Sequence, residues 1–138
     1  MNSILIDTSF LVALLNSDDH NHARTLAFTN KNDLPMRVPE VALTEVLYLI
    51  NRAGGVPAKV KALRSILDAG LNRQSLEDVD IRRAAEIITR YPQANFDFVD
   101  VCLMALTERL DIRQVATFDR RDFSIFRPAH CDYLELLS

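Results

Sequence analysis

The chain has 138 residues, of which 49% are hydrophobic and 25% charged, and a formal net charge of −3. That is one globular domain, residues 1–138, long enough to bury roughly two-thirds of its unfolded surface without disulfides or zinc. Two cysteines with no CxxC pair, no apolar run of the ~18 residues a membrane span needs, and no basic residues ahead of the apolar stretch 4–15 exclude disulfide-stapled, zinc-ribbon and membrane-spanning classes; a reduced, cytoplasmic protein is the expectation.

Residues 3–6 are an apolar run that stops at Asp7 and predicts a short buried strand. Thr8 and Ser9 are placed to cap a helix over 10–15. Asp18 and Asp19 open a second helical stretch carrying Ala23, Leu26 and Ala27, and 36–38 predicts another strand. A helix starting at Pro39 runs to about Ala53 and is ended by Gly54 and Gly55. The next begins at Val56-Pro57, has Val60, Leu63, Ile66 and Leu67 on one face, and ends at Gly70. A strand is expected in 71–76, then a helix opened by Glu77 and Asp78 with Ile81, Ala84, Ala85 and Ile88, stopped near Tyr91-Pro92. A helix over 97–110, a strand over 113–118 and a last strand in 133–137 complete the chain. This alternation predicts an α/β fold, a small central parallel sheet flanked by helices, with its site at the carboxyl ends of the strands.

Four carboxylates sit in apolar surroundings. Asp7 ends a strand, Glu45 interrupts VALTEVLYLI, Asp100 interrupts FVDVCLMAL, and Asp119 follows the strand VATF. A buried carboxylate without a partner is very costly. No Lys or Arg lies within five residues of Asp7, Glu45 or Asp100, although Arg120 and Arg121 adjoin Asp119. Converging carboxylates need either protons or a divalent cation, and an all-oxygen set favours Mg²⁺ or Mn²⁺ over Zn²⁺. Local roles compete with this reading. Asp7 and Asp97 suit helix caps, Asp100 suits the first turn of a helix, Glu45 suits an exposed helix face, and Asp119 and Asp122 suit turns.

The stretches ILIDTSFLVALL from Ile4, VPEVALTEVLY from Val38, FDFVDVCLMALTERL from Phe96 and VATFDRRDF from Val115 together resemble the PIN-domain family, and within it the VapC-like toxins of prokaryotic toxin–antitoxin pairs. The resemblance implies a PIN-like three-layer α/β/α sandwich. It also implies Mg²⁺- or Mn²⁺-dependent hydrolysis of RNA by a ribonuclease toxin, with water as the attacking group. The family's four acids fall on Asp7, Glu45, Asp100 and Asp119. Asp7, Asp100 and Asp119 would hold the metal, with Glu45 and Asp97 as further candidates. The accompanying hydroxyls fall on Thr8 or Ser9 and on Thr117. Arg120, Arg121 and Arg127 are placed to contact the RNA backbone. Many members carry a further acid two residues past the fourth; here that place is Arg121, with Asp122 one later, so one metal or two stays open.

The resemblance further implies a cognate antitoxin and pairing of the chain with itself. Two other folds with acids at strand ends fit poorly. A receiver domain needs a late Lys, and none follows Lys61; a haloacid-dehalogenase-like phosphatase needs an acid where Ser9 stands. A PIN-like module that binds RNA or protein without cutting, and a nuclease directed at DNA, stand as alternatives.

Overall fold

The structure, a computed structural model, describes residues 2–138. Five short strands, β1 (Ile4–Ile6), β2 (Met36–Pro39), β3 (Asn72–Gln74), β4 (Gln114–Ala116) and β5 (Glu135–Leu137), form one sheet in the order β3-β2-β1-β4-β5. Every pairing is parallel. Parallel neighbours require crossovers, supplied by α1 (Thr8–Leu15), α2 (His22–Lys31), α3 (Ala42–Asp68), α4 (Asp78–Arg90) and α5 (Phe98–Arg109); α6 (Arg121–Ile125) follows β4.

Side chains alternate across each strand, so the sheet feeds two cores. Leu5 and Val115 pack with Ala84 and Ile87 of α4, with Leu103, Met104 and Leu106 of α5, and with Phe123 of α6. On the opposite face Ile4, Ile6, Val38 and Ala116 pack with Phe10 and Leu11 of α1 and with Val46, Ile50 and Ala62 of α3. The result is the three-layer α/β/α sandwich. The chain winds outward from β1 to β3, then crosses back to β4 on the other side of β1. That reversal opens a crevice at the carboxyl ends of β1 and β4, the place where open parallel sheets hold their sites.

Several expectations need correction. Asp7, not Thr8 or Ser9, is the N-cap of α1, and Thr8 already lies in its first turn. The acidic pair Asp18-Asp19 forms a turn, in which Asp19 accepts the Asn21 N–H, and α2 begins only at His22. The two helices expected around Gly54-Gly55 are the two arms of α3, broken where Gly55 adopts φ 70° and ψ −162°, a conformation open to a residue without Cβ. On the second arm Ile66 is buried, but Val60, Leu63 and Leu67 are exposed. On α4 the inward set is Asp80, Ala84 and Ile87, whereas Ile81 and Ile88 face outward. Asp80 is buried because Arg109 of α5 reaches it, Nε to Oδ1 at 2.8 Å, and the pair fixes which face of α4 meets α5. No helix of the described residues is long and apolar enough to cross a membrane.

Candidate active site

Asp7, Thr8, Ser9, Glu45, Leu49, Asp97, Asp100 and Asp119 line one cleft of about 120 Å³. Four separate segments supply these residues. Asp7 stands where β1 gives way to α1, Glu45 in the first turn of α3, Asp97 and Asp100 at the start of α5, and Asp119 just past β4. All the acids assigned to the site from the sequence therefore meet.

Asp7 is the most enclosed, with only 4% of its surface exposed. Loss of hydration pushes its carboxyl above the ordinary carboxylate range; the Thr117 hydroxyl and the Thr8 backbone N–H oppose that shift, and the charges of Asp119 and Asp97 add to it. Thr117 Oγ1 donates to Asp7 Oδ2 at 2.7 Å and accepts the Asp119 N–H at 2.9 Å. Ser9 Oγ accepts the Phe118 N–H at 3.0 Å and lies 3.3 Å from Thr117 Oγ1. These hydroxyls tie β1, α1 and the segment after β4 together beneath the acids.

Glu45 is also raised, first by desolvation and then by Asp97 and Asp7. Asp100 is pushed up to about 9, mainly by burial, then by a hydrogen bond with the Asp122 carboxyl and by the neighbouring charges. Asp97 plays both roles read from its position, lining the cleft and accepting the Asp100 N–H at 2.8 Å as the cap of α5.

Asp122 is the acid that sequence reasoning did not place. The signal was its position three residues past Asp119, but only the short turn of α6 brings it back against Asp100. Its other neighbour is Arg121, Nη1 to Oδ1 at 2.8 Å, so Arg121 meets an acid of this chain. Arg127 is likewise engaged, donating Nη1 to the carbonyls of Ser124 at 2.7 Å and Phe126 at 3.1 Å. Of the three arginines assigned to nucleic acid, only Arg120 has neither an acid nor a backbone carbonyl as partner among the described residues, its Nη2 donating to Ser138 Oγ.

The donor chemistry fits a hard divalent cation. The polar lining is oxygen throughout, and among the described residues none of Asp7, Glu45, Asp97, Asp100 and Asp119 is in an ion pair. Thr8 lines the same cleft, and its Oγ1 is buried without a partner. In the present arrangement no three acid, histidine or cysteine side chains of the described residues close around a single point. Asp100 is instead engaged with the Asp122 carboxyl through a side-chain hydrogen bond.

The model of the PIN domain matches residues 4–127. Ribonuclease VapC26 of Mycobacterium tuberculosis is 28% identical over 125 residues, spanning 91% of this chain and 93% of its own length. The crystal structure of Mycobacterium tuberculosis VapC20, a Sarcin-Ricin loop cleaving toxin, aligns with a TM-score of 0.80 and 26% identity, over 94% of this chain and 98% of that one. VapBC2 of Rickettsia felis, bound to a DNA fragment from its promoter, aligns with a TM-score of 0.70 at 15% identity, over 99% of this chain and 97% of that one, a likeness of fold.

Proposed function

The chain belongs to the PIN-domain family, and from that premise we propose that it is a Mg²⁺- or Mn²⁺-dependent endoribonuclease, the toxin of a VapBC-type toxin–antitoxin pair, working in the cytoplasm. The observation that carries the reading is the convergence of Asp7, Glu45, Asp97, Asp100 and Asp119 on one cleft where, among the described residues, none of them is in an ion pair. Such a set is unfavourable for a merely structural role, because Asp7, Glu45 and Asp100 are disfavoured as anions first by burial and then by neighbouring carboxylates. The names of VapC26 and VapC20 support RNA as the substrate.

Asp7, Asp100 and Asp119 are the residues that would hold the ion, with Asp97 and Thr8 in the same lining. When bound, the ion lowers the pKa of a coordinated water and offsets charge gathering on the phosphate oxygens. The remaining work belongs to the chain. Thr117 holds the Asp7 carboxyl in one orientation through its 2.7 Å hydrogen bond. Glu45, kept basic enough to take a proton by its partial burial, orients the attacking water and accepts its proton. Attack by water on phosphorus, with the P–O3′ bond breaking and the 3′ oxygen leaving as a hydroxyl, gives 5′-phosphate and 3′-hydroxyl ends.

The apolar surface supports the partner half of the reading. Tyr48, Val56, Val60, Leu63 and Leu67 are exposed along α3, and Val79, Ile81 and Ile88 along α4. We take these exposed side chains as the surface offered to an antitoxin segment and to a second copy of this chain.

The test is incubation of the purified protein with total RNA, with and without Mg²⁺, followed by mapping of the ends, with single- and double-stranded DNA in parallel. Cleavage of RNA in Mg²⁺ that leaves 5′-phosphates, and that is lost in Asp7→Asn and Asp100→Asn, is the expected result. Cleavage that survives both substitutions, or is confined to DNA, contradicts it.

A further inference from the structure

Two guanidinium groups outside the acidic cleft converge on one neutral oxygen. Arg24 Nη2 of α2 donates to Ser138 Oγ at 2.8 Å, and Arg120 Nη2 donates to the same atom at 3.2 Å. Neither arginine is in an ion pair among the described residues, and both are exposed. Two cations sharing a single hydroxyl repel each other, and an anion seated between them removes the repulsion. The guanidinium fork also matches phosphate oxygens in a way that a point charge does not.

The pair lies beside the proposed reaction centre. Arg24 sits over the Phe118 ring, 5.4 Å from its centroid. The Phe118 N–H is bonded to Ser9 Oγ, and Ser9 lines the acidic cleft. Arg120 directly follows Asp119, another lining residue. A phosphate held by both arginines is thus joined through one residue on each side to the acids. Its neighbourhood is the opposite in charge to the cleft, as a strand with one phosphate at the acids and another further along would need.

From there a path continues. A groove of about 320 Å³ runs between α2 and strands β1, β4 and β5, with Arg24 and Ser138 at one end and Lys31, Ile4 and Gln114 at the other. Arg24 and Lys31 are seven residues apart, two turns of one helix, and so share its face. In the register of the sheet Ile4 and Gln114 pair at the amino ends of β1 and β4, so the groove leads from the cleft edge down the flank of the molecule.

We propose that Arg24 and Arg120 form a site for a backbone phosphate of the RNA substrate next to the cleaved bond, and that Lys31 continues it along the α2 groove. The proposal rests on the ribonuclease reading and adds to it the side of the cleft from which the strand leaves. All three side chains are exposed, so their replacement leaves the fold intact within the small effects of surface substitutions.

The experiment is steady-state cleavage of a single-stranded RNA in Mg²⁺ across a range of monovalent salt. The variants are Arg24→Gln/Arg120→Gln, Lys31→Gln, Arg24→Lys/Arg120→Lys, and Arg82→Gln on the far face of α4 as a charge control. In the double glutamine variant KM rises about tenfold with kcat within about twofold, because backbone contacts position the strand and do no chemistry. The slope of log(kcat/KM) against log[salt] becomes shallower by about 0.7 there, for the one phosphate the two arginines share, and by about 0.7 in Lys31→Gln, the single-strand value of about 0.7 per phosphate neutralised. The double lysine variant regains the slope, and Arg82→Gln matches the wild type. If the double glutamine variant is indistinguishable from Arg82→Gln while the wild type cleaves RNA, the phosphate site is wrong and the ribonuclease reading stands. If the wild type cleaves no RNA in Mg²⁺, both fall together.

Discussion

Thr117 and Asp7 are 110 positions apart in the chain, yet the Thr117 hydroxyl donates to Asp7 Oδ2 at 2.7 Å. The bond crosses from the end of β4 to the end of β1, the pair of strands where the sheet changes its winding direction. It places the most buried acid of the site under control of a hydroxyl from the segment that also carries Asp119. Replacing Thr117 by Val removes the donor and keeps the shape. A hydrogen bond lost from a buried, charge-bearing acceptor costs about 1–3 kcal/mol. Thr117→Val is therefore expected to unfold at lower urea concentration than the wild type by that amount, and Thr117→Ser to recover most of the loss. Equal stability of Val and wild type contradicts the assignment.

The metal-free protein is expected to lose stability as pH rises. Asp100 keeps its proton to about pH 9 in the fold, against an ordinary value of 3.8. The native state thus binds more protons than the unfolded chain between those values, and the stabilisation, complete below about pH 4, fades as pH passes through about 9. Asp7 and Glu45 are raised as well and act in the same direction. Glu108, held low by Arg83, matters only at more acidic pH. Thermal melts in EDTA from pH 5 to pH 9 should show a falling Tm, and Asp100→Asn should flatten the fall. A Tm that rises over this range contradicts the carboxylate cluster.

Divalent cations should reverse that cost. A ligand that binds only the native state at 100 times its Kd adds about 2.7 kcal/mol. Mn²⁺ and Mg²⁺ are expected to raise the Tm of the wild type at pH 7, to do so less in Glu45→Gln, and least in Asp7→Asn and Asp100→Asn. Equal shifts in all four proteins would place the ion elsewhere.

A fourth expectation concerns a part of the fold remote from the cleft. Asp80 is 1% exposed and is held by Arg109 Nε at 2.8 and 3.0 Å. Removing one partner of a buried ion pair costs about 3–5 kcal/mol. Arg109→Met should lower urea resistance by that amount while leaving RNA cleavage per folded molecule unchanged at low temperature. A loss below 1 kcal/mol would show that the Glu77 N–H, which donates to Asp80 Oδ2 at 2.8 Å, satisfies Asp80 without Arg109.

Much of the site was legible in the sequence because each acid interrupts an apolar run. Asp7 after Ile4-Leu5-Ile6 and Asp119 after Val115-Ala116-Thr117-Phe118 mark strand ends, and parallel strands put their ends together. Asp100 stands in a helix buried on nearly every side from Val101 to Thr107, so its carboxyl has only the amino end of α5 to face. What local pattern did not contain was tertiary. On α4 the positions 80, 84 and 87 and the positions 81, 85 and 88 both have helical spacing, and only Arg109, from another helix, decides in favour of the first. Asp122 reads as a turn acid until α6 folds it onto Asp100. Arg24 carries no local mark at all, since its partners Phe118 and Ser138 lie 94 and 114 positions away.

Proton release on metal binding tests the central claim most directly. With the Asp100 carboxyl pushed up to about 9 by burial and by its hydrogen bond with Asp122, that pair is expected to share a proton at pH 7 in the metal-free protein, and a carboxylate must give up its proton to hold an ion. Calorimetric titration with Mn²⁺, repeated in buffers of different ionisation enthalpy, is expected to show release of about one proton by the wild type and a much smaller release, with weaker binding, by Asp100→Asn. Mn²⁺ binding with no proton released, or with the same release in both proteins, would contradict the picture of carboxylates brought together for a cation.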